Sequence, residues 1–293
     1  MAILVGLIAF LGQMVNHAGK AWTRGESNKE CLQNMRGLTD FIGNELQAAL
    51  LPICQTATNG LQFVVNPAGI TSGSYNRDTI FWESPLATDQ TLGDVAEIGY
   101  IVTWNTTIAT NPTSQLCRFF VNPGSATTPN PYFLIYSNPT AWLSDSIVQA
   151  VAPANKANYY QGLFAENVLG LWVQCLDPYG QPITKDASGA SFTSPSYDSR
   201  RGYSYITPAG QTITNMPSSL PAAVDISLVM LDSKSASRIG TQQQSAINTI
   251  LTSGTNCPNA AAFVTQAATV PSLRPIYSSL RAYQTRVYLE NSE

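Results

Sequence analysis

Charge is scarce in this chain. Asp, Glu, Lys and Arg make up only 11% of its 293 residues, against roughly a quarter in an ordinary globular domain. Lys occurs five times, and nowhere do Lys and Arg gather into a basic run. The electrostatic footprint that a nucleic-acid partner requires is therefore missing. Histidine is scarcer still, His17 being the single one. It precedes every strand-like segment, so a Ser-His-Asp or Cys-His site has no base to draw on. Zinc needs several His or Cys ligands at close spacing, and no such group occurs. No GxSxG, P-loop or GxGxxG stands before a helix. These absences exclude the commoner catalytic classes, and the chain is expected to be no enzyme and to need no cofactor.

Two further sets of residues carry little chemistry. The five cysteines, Cys31, Cys54, Cys117, Cys175 and Cys257, form no CxxC pair. One or two disulfides in an oxidising compartment, or small buried hydrophobes, both fit them. Asp89, Asp94 and Glu97 lie close together in or beside a loop. Their spacing is not that of an EF-hand, so a plain surface loop is expected, with calcium as the one metal alternative. Carboxylate pairs suited to glycoside hydrolysis arise by chance among 18 acidic residues, so they weigh little.

A full membrane-spanning run is also lacking. Ala2–Val15 reads AILVGLIAFLGQMV, about 14 residues with no charge before Lys20, short of the roughly 20 that cross a bilayer as a helix. No basic segment precedes it and no A-x-A site follows, which disfavours a signal peptide. What comes next identifies it better. Leu32, Met35, Leu38, Ile42, Leu46 and Leu50 recur at steps of three and four. Arg24, Lys29, Arg36, Asp40, Asn44 and Glu45 fall mostly on the opposite side, and Pro52 stops the pattern. One helix is thus predicted from the first residues to about Leu51, roughly 75 Å long. Its first part, with Ile3, Leu4, Val5, Leu7, Ile8, Phe10, Leu11 and Val15, would lie in a membrane or in a bundle of like helices. Its second part, Leu32 to Leu50, would pack on the rest of the chain.

Beyond it lies the material of a sizeable core, since 44% of the chain is hydrophobic. The period changes to two. Strands are predicted at Leu61–Val65, Thr79–Glu83, Glu97–Trp104, Leu116–Val121, Tyr132–Tyr136, Asn167–Cys175, Ala223–Leu231 and Leu280–Leu289, separated by Gly, Pro and Asn clusters. Ala141–Ala150 reads as a short helix. Ser233–Thr252 reads as another, with Ser233 as N-cap. Leu176–Met216 reads as a long decorated loop, and no internal repeat is visible. The expectation is an α+β protein: a stalk helix over 1–52, and a head over 53–293 whose mainly antiparallel sheet packs on the helix. Tyr159, Tyr160, Tyr179, Tyr197, Tyr203 and Tyr205 fall in loop-like segments. They either pin loops to the sheet or offer a partner-binding surface, for which Tyr179, Tyr197, Tyr203 and Tyr205 are the candidates.

The stretch Met1–Leu51, with Trp22-Thr23-Arg24-Gly25 after the apolar run, resembles the N-terminal helix of type IV pilin-like proteins. It is most similar to the J-type minor pseudopilins of type II secretion. Further along, Ile80-Phe81-Trp82-Glu83-Ser84-Pro85-Leu86, Ala165-Glu166-Asn167-Val168 and Tyr197-Asp198-Ser199-Arg200 resemble the pilin-like family called Verru_Chthon cassette protein C. So do Leu220 to Ile226, Val229-Met230-Leu231-Asp232 and Ser235-Ala236-Ser237-Arg238. The resemblance implies a subunit anchored in the inner membrane, with its head in the periplasm or on a surface filament. It implies assembly with other pilins or pseudopilins into a hetero-oligomeric fibre, near its tip. The Gly-Phe-Thr-Leu-x-Glu type motif that precedes the apolar run in that family has no counterpart here, and about eight further residues before Met1 would complete a span. The rival expectation is a membrane-tethered, adhesin-like binding module that uses the Tyr-rich segment; a secreted hydrolase with an uncleaved anchor is a third.

Overall fold

The computed structural model describes residues 2–50, 63–67, 70, 75–88, 93–105, 111–122, 161–192, 197–253 and 257–290. The side chains of residues 2–9, 20, 23, 24, 27 and 161 are not part of that description. The strand expected at Tyr132–Tyr136, the helix expected at Ala141–Ala150, and Cys54, Asp89, Tyr159 and Tyr160 lie outside the described residues.

Helix α1 runs unbroken over Ala2–Gln47, about 69 Å at 1.5 Å per residue. No proline interrupts it. Two tertiary hydrogen bonds fix its end, several residues before Pro52. Trp82 Nε1 donates to the Glu45 carbonyl at 3.3 Å and Ser84 Oγ donates to the Ala48 carbonyl at 3.0 Å. Both carbonyls belong to the last turn or just past it, where intrahelical donors run out. The buried stripe of α1 is Cys31, Met35, Thr39, Ile42, Leu46 and Ala49, with Leu38 partly buried against it and Leu50 half-buried. Leu32 does not belong to it and is 45% exposed. The stripe is phased on Cys31, and one residue further along turns a side chain by 100°.

The head is antiparallel. Strands β1 (Val64–Val65), β2 (Ile80–Ser84), β3 (Ala96–Asn105), β4 (Thr113–Val121), β5 (Gln161–Glu166) and β7 (Tyr197–Asp198) form one sheet in the order β5-β4-β3-β2-β1-β7. Strands β6 (Val168–Leu176), β10 (Ala223–Met230) and β11 (Arg281–Tyr288) form a second, in the order β11-β10-β6. The strands begin and end within one to three residues of most sequence boundaries. The inner faces of both sheets and α1 enclose the main core, which includes Trp82, Tyr100, Leu116, Val173, Ile226 and Leu228. β10 is buried along its whole length, because helices cover its other face. These are α2 (Ser233–Ala236), α3 (Thr241–Thr252), α4 (Ala260–Ala267) and α5 (Arg274–Tyr277). They supply a second core around Trp172, Ile247, Phe263 and Ile276.

Several segments depart from the sequence expectation. The helix expected over Ser233–Thr252 is two. Asp232, not Ser233, caps the first by accepting from Ser235 N at 2.8 Å, and Gly240 starts the second. Helices α4 and α5 and strand β5 are not foreseen, being only four to eight residues long. Leu176–Met216 is not a loop but a run of tight hairpins, one of them the pair β8 (Tyr203–Ile206) and β9 (Thr212–Asn215). A repeated turn builds them. Asp177, Asp186 and Thr207 each accept, through a side-chain oxygen, the N–H four residues on. Each turn then places a glycine at positive φ, Gly180 at 76°, Gly189 at 84° and Gly210 at 81°, where a side chain would be strained.

Met35 and Leu32, three residues apart on α1, provide a direct check of the phase. Met35→Ala should cost about 2–5 kcal/mol in urea unfolding, and Leu32→Ala no more than about 0.5 kcal/mol. Equal losses would contradict the packing described.

Candidate functional site

The molecule divides at Asn28. From Asn28 to Leu50, α1 lies against the head; Asn28 Oδ1 accepts from Arg281 Nη2 on β11 at 2.6 Å. Gly43 lets the two elements come close: a Cβ there would meet Val287 Cγ2 at 3.4 Å. N-terminal to Asn28 the helix projects. Its described side chains are exposed and include large apolar ones: Phe10 at 62%, Leu11 at 51%, Met14 at 55%, Val15 at 72% and Trp22 at 77%. Ile3, Leu4, Val5, Leu7 and Ile8 lie on the same helix, N-terminal to these. An isolated helix with so little apolar contact is marginal in water, and a run of exposed apolar residues marks a surface meant to be covered. No helix among the described residues is long and apolar enough to cross a membrane.

A buried ionic cluster holds this projecting element to the head. Glu45 on α1 accepts from Arg118 on β4 twice, Nη2 to Oε1 at 2.6 Å and Nε to Oε2 at 3.2 Å. The Tyr100 hydroxyl on β3 donates to Oε2 at 2.5 Å. The guanidinium carbon of Arg118 lies 4.3 Å from the Phe120 ring centroid, so its desolvated cation has a π face as well as a carboxylate. Burial, then the Glu45 charge, push the Tyr100 phenol far above its usual range, so it serves as a donor at every accessible pH. Glu45 was expected on the solvent side of α1; it is buried because its partners lie 55 and 73 residues further along the chain.

Other acidic groups are also buried. Glu97 lies in β3, at the start of the strand expected over Glu97–Trp104, but it is fully buried rather than at a loop surface, directly opposite Glu83 of β2. Both its carboxylate oxygens lack a hydrogen-bond partner among the described residues. Burial, with the Glu83 charge second, raises its pKa well above the usual range. Asp78 accepts from Val173 N at 2.9 Å and from Asn66 Nδ2 at 3.1 Å, joining the first sheet to β6. Burial outweighs these bonds and raises its pKa to about 6. Among the described residues no three His, Cys, Asp or Glu side chains could hold a metal ion. Cys31, Cys117, Cys175 and Cys257 are buried.

The tyrosine surface is smaller than the sequence suggested. Tyr197 and Tyr203 are fully buried, the Tyr197 hydroxyl donating to the Ser219 carbonyl at 2.7 Å. They form the inner end of an aromatic row that continues to Tyr205 and Tyr179. Of the four candidate tyrosines, Tyr179, 50% exposed, and the half-buried Tyr205 reach the surface.

No protein-family model and no curated protein matches the chain. A solved type IV-like pilin from Thermus thermophilus is similar to it at a TM-score of 0.35 and 11% identity, over 89% of this chain and 97% of that one.

Removing Glu45 leaves the half-buried Arg118 guanidinium and the buried Tyr100 hydroxyl without their acceptor. Glu45→Ala should therefore cost about 2–3 kcal/mol in urea unfolding, while the double change Glu45→Met with Arg118→Met should recover most of that loss. A loss below about 1 kcal/mol for Glu45→Ala would remove the cluster from its role.

Asp78 sets a pH dependence. Its folded pKa of about 6 exceeds the ordinary 3.8, so the folded state holds the proton more tightly. Stability is greatest where the group is protonated in both states and falls as pH rises from about 4 to 6, by on the order of 3 kcal/mol. Glu97 acts in the same direction. Asp186 and Asp232 have lowered pKa values and oppose it only at lower pH. Thermal melting should therefore shift upward on acidification from pH 7 to pH 5, with a smaller shift in Asp78→Asn. A flat or falling profile over that range would refute the assignment.

Proposed function

We propose that this chain is a structural filament subunit, with residues 1–52 as its stalk and 53–293 as its head. More specifically, we propose a minor pseudopilin of the type II secretion kind, placed near the tip of the fibre. The carrying observation is the exposed apolar face of Phe10, Leu11, Met14 and Val15 on a helix whose other half is locked into a closed head. A helix held so firmly at one end and bare at the other is suited to burial among like helices. The family resemblance of the N-terminal stretch supplies the kind of fibre. On this proposal the projecting part sits in the inner membrane before assembly and in the fibre core afterwards, the head facing the periplasm or the cell surface. Neighbouring pilins or pseudopilins are the partners, and no catalysis is involved. An adhesin-like role is less well supported, because of the four candidate tyrosines Tyr197 and Tyr203 are spent on the core and Tyr179 and Tyr205 face outward.

The test replaces Phe10, Leu11, Met14 and Val15 together by Gln in the full chain. Assembly, followed by electron microscopy and by sedimentation in mild detergent, should be lost. The melting temperature of the head should stay within about 2 °C, since none of the four touches it. Undiminished assembly would sink the proposal.

A further inference from the structure

We infer that the foot of the head, the end from which α1 leaves, is a docking surface for the anionic phospholipid headgroups of a membrane. The subunit then rests on the bilayer by its head as well as by its helix. The inference rests on the filament proposal, whose first stage places the projecting helix in a membrane.

The observation is where the unpaired cations stand. Arg77, Arg118, Arg200, Arg201 and Arg286 each face a carboxylate. Among the described residues, Lys29, Lys234, Arg238, Arg274 and Arg281 form no salt bridge. Only Arg36 and Lys185 share that state among the other described side chains. The five are scattered in sequence, and the fold gathers them at the foot. Arg281 Nη2 donates to Asn28 on α1, and its Nη1 donates to the Ser278 carbonyl at 3.0 Å. The end of α5 therefore lies beside the helix exit, with Arg274 one turn back from Ser278. Ser235 Oγ on α2 donates to Ser279 Oγ at 2.7 Å, which brings in Lys234 and Arg238. Lys234 also lines a groove with Glu30 and Gln33 of α1. Lys29, Lys234, Arg238 and Arg274 are exposed, and Arg281 is half-buried.

Sign, rings and reach point to the occupant. With Lys20 and Arg24 on the adjoining turns of α1, the foot holds seven cations. Four carboxylates stand with them, Glu26, Glu30, Glu166 and Asp232. Asp232 is occupied, accepting from Ser235 N and Oγ at 2.8 and 3.0 Å. The foot thus carries +3 in a chain whose net charge is −3, and the remaining residues carry −6. Such a polarity turns the foot toward an anionic surface. Each Lys or Arg held near an anionic leaflet favours it about fivefold. Trp22, 77% exposed, and Tyr277, 39% exposed, stand among these cations. Both ring types gather at the headgroup level of membranes. Trp22 lies six residues from Asn28, about 9 Å along the helix. With Trp22 at the hydrocarbon boundary, the foot falls within reach of the headgroups, a layer about 5–8 Å deep whose field extends about 8 Å further.

The test uses the full chain with Cys54→Ser, the other cysteines being buried. A fluorophore is attached at Ser237→Cys, between Lys234 and Arg238, or at Ala209→Cys in the β8–β9 turn; both positions are exposed. That turn belongs to the Tyr288 end of β11, opposite Arg281. Vesicles of phosphatidylcholine, with or without phosphatidylglycerol, carry a quencher on some headgroups. Flotation reports binding of the chain, and quenching reports contact of the head. With phosphatidylglycerol the Ser237 probe should be quenched and the Ala209 probe not; without it neither should be. High salt should release the Ser237 probe without ending flotation. Lys234→Glu with Arg238→Glu should weaken the quenching about tenfold or more. The melting temperature should not change, since neither side chain bonds another described residue. Equal quenching with and without phosphatidylglycerol, or flotation without quenching, would overturn the foot contact and leave the filament proposal standing. Loss of quenching to inorganic phosphate at constant ionic strength would overturn it in favour of a site for the free anion. An unquenched probe, with fibres that Lys234→Glu and Arg238→Glu abolish, would assign the foot to a neighbouring subunit instead. A chain that neither floats nor forms fibres would sink both proposals.

Discussion

Everything in this molecule hangs on bringing one carboxylate, Glu45, out of water. The energetic demand is severe: a lone ion at that depth would cost several kcal/mol. Arg118 and Tyr100 answer it from two adjacent strands, β4 and β3, which pair in register at these residues. The position of α1 across the sheet is thereby fixed to within a hydrogen-bond length. Apolar contacts alone, as between Met35 or Ile42 and the sheet, would tolerate a slide along the helix. A bidentate guanidinium contact does not, because its geometry is directional.

The two sheets depend on that placement. The helix packs on β2, β10 and β11, and β6 with β10 is buried on both faces because the first sheet and α1 lie on one side and helices α3 to α5 on the other. Segment 75–79 then ties the sheets together. Asp78 N donates to the Leu171 carbonyl at 2.9 Å and Asn76 N to the Val102 carbonyl at 2.7 Å. The raised pKa of Asp78 is the cost of placing a carboxylate at that seam.

Much of this was legible in the sequence, and the failures have physical reasons. β3, β4, β6, β10 and β11 announce themselves as β-branched and aromatic runs bounded by turn residues. The long helix announces itself by its period and its lack of proline. Its phase was misjudged at Leu32 because Cys31, the true start of the stripe, is read as a hydrophobe only when buried. Glu45 is expected in solvent, and Glu97 beside a surface loop at the start of its strand, because carboxylates default to exposure, and the residues that reverse the default, or share their burial, come from other elements. Tyr197 and Tyr203 look like loop residues in a stretch rich in Gly, Pro and Ser. The hairpins that bury them are specified by single Asp, Thr and Gly positions, a signal too sparse for periodicity to detect. The projecting face of Phe10 to Val15 was visible at once, since it needs nothing but a row of apolar residues on one helix.

The attachment of α1 also has a mechanical side. The bonds that end the helix, Trp82 to Glu45, Ser84 to Ala48, and Leu50 N to the Glu83 carbonyl at 2.8 Å, all reach the same strand, β2. β2 lies inside the six-stranded sheet, flanked by β1 and β3. A pull on the free end of the helix therefore enters the head at an interior strand and spreads to both of its neighbours. At the same time it loads the Glu45–Arg118 contact on β4. Such a joint resists by shear over several strands at once, whereas an anchor on an edge strand would be unzipped one bond at a time.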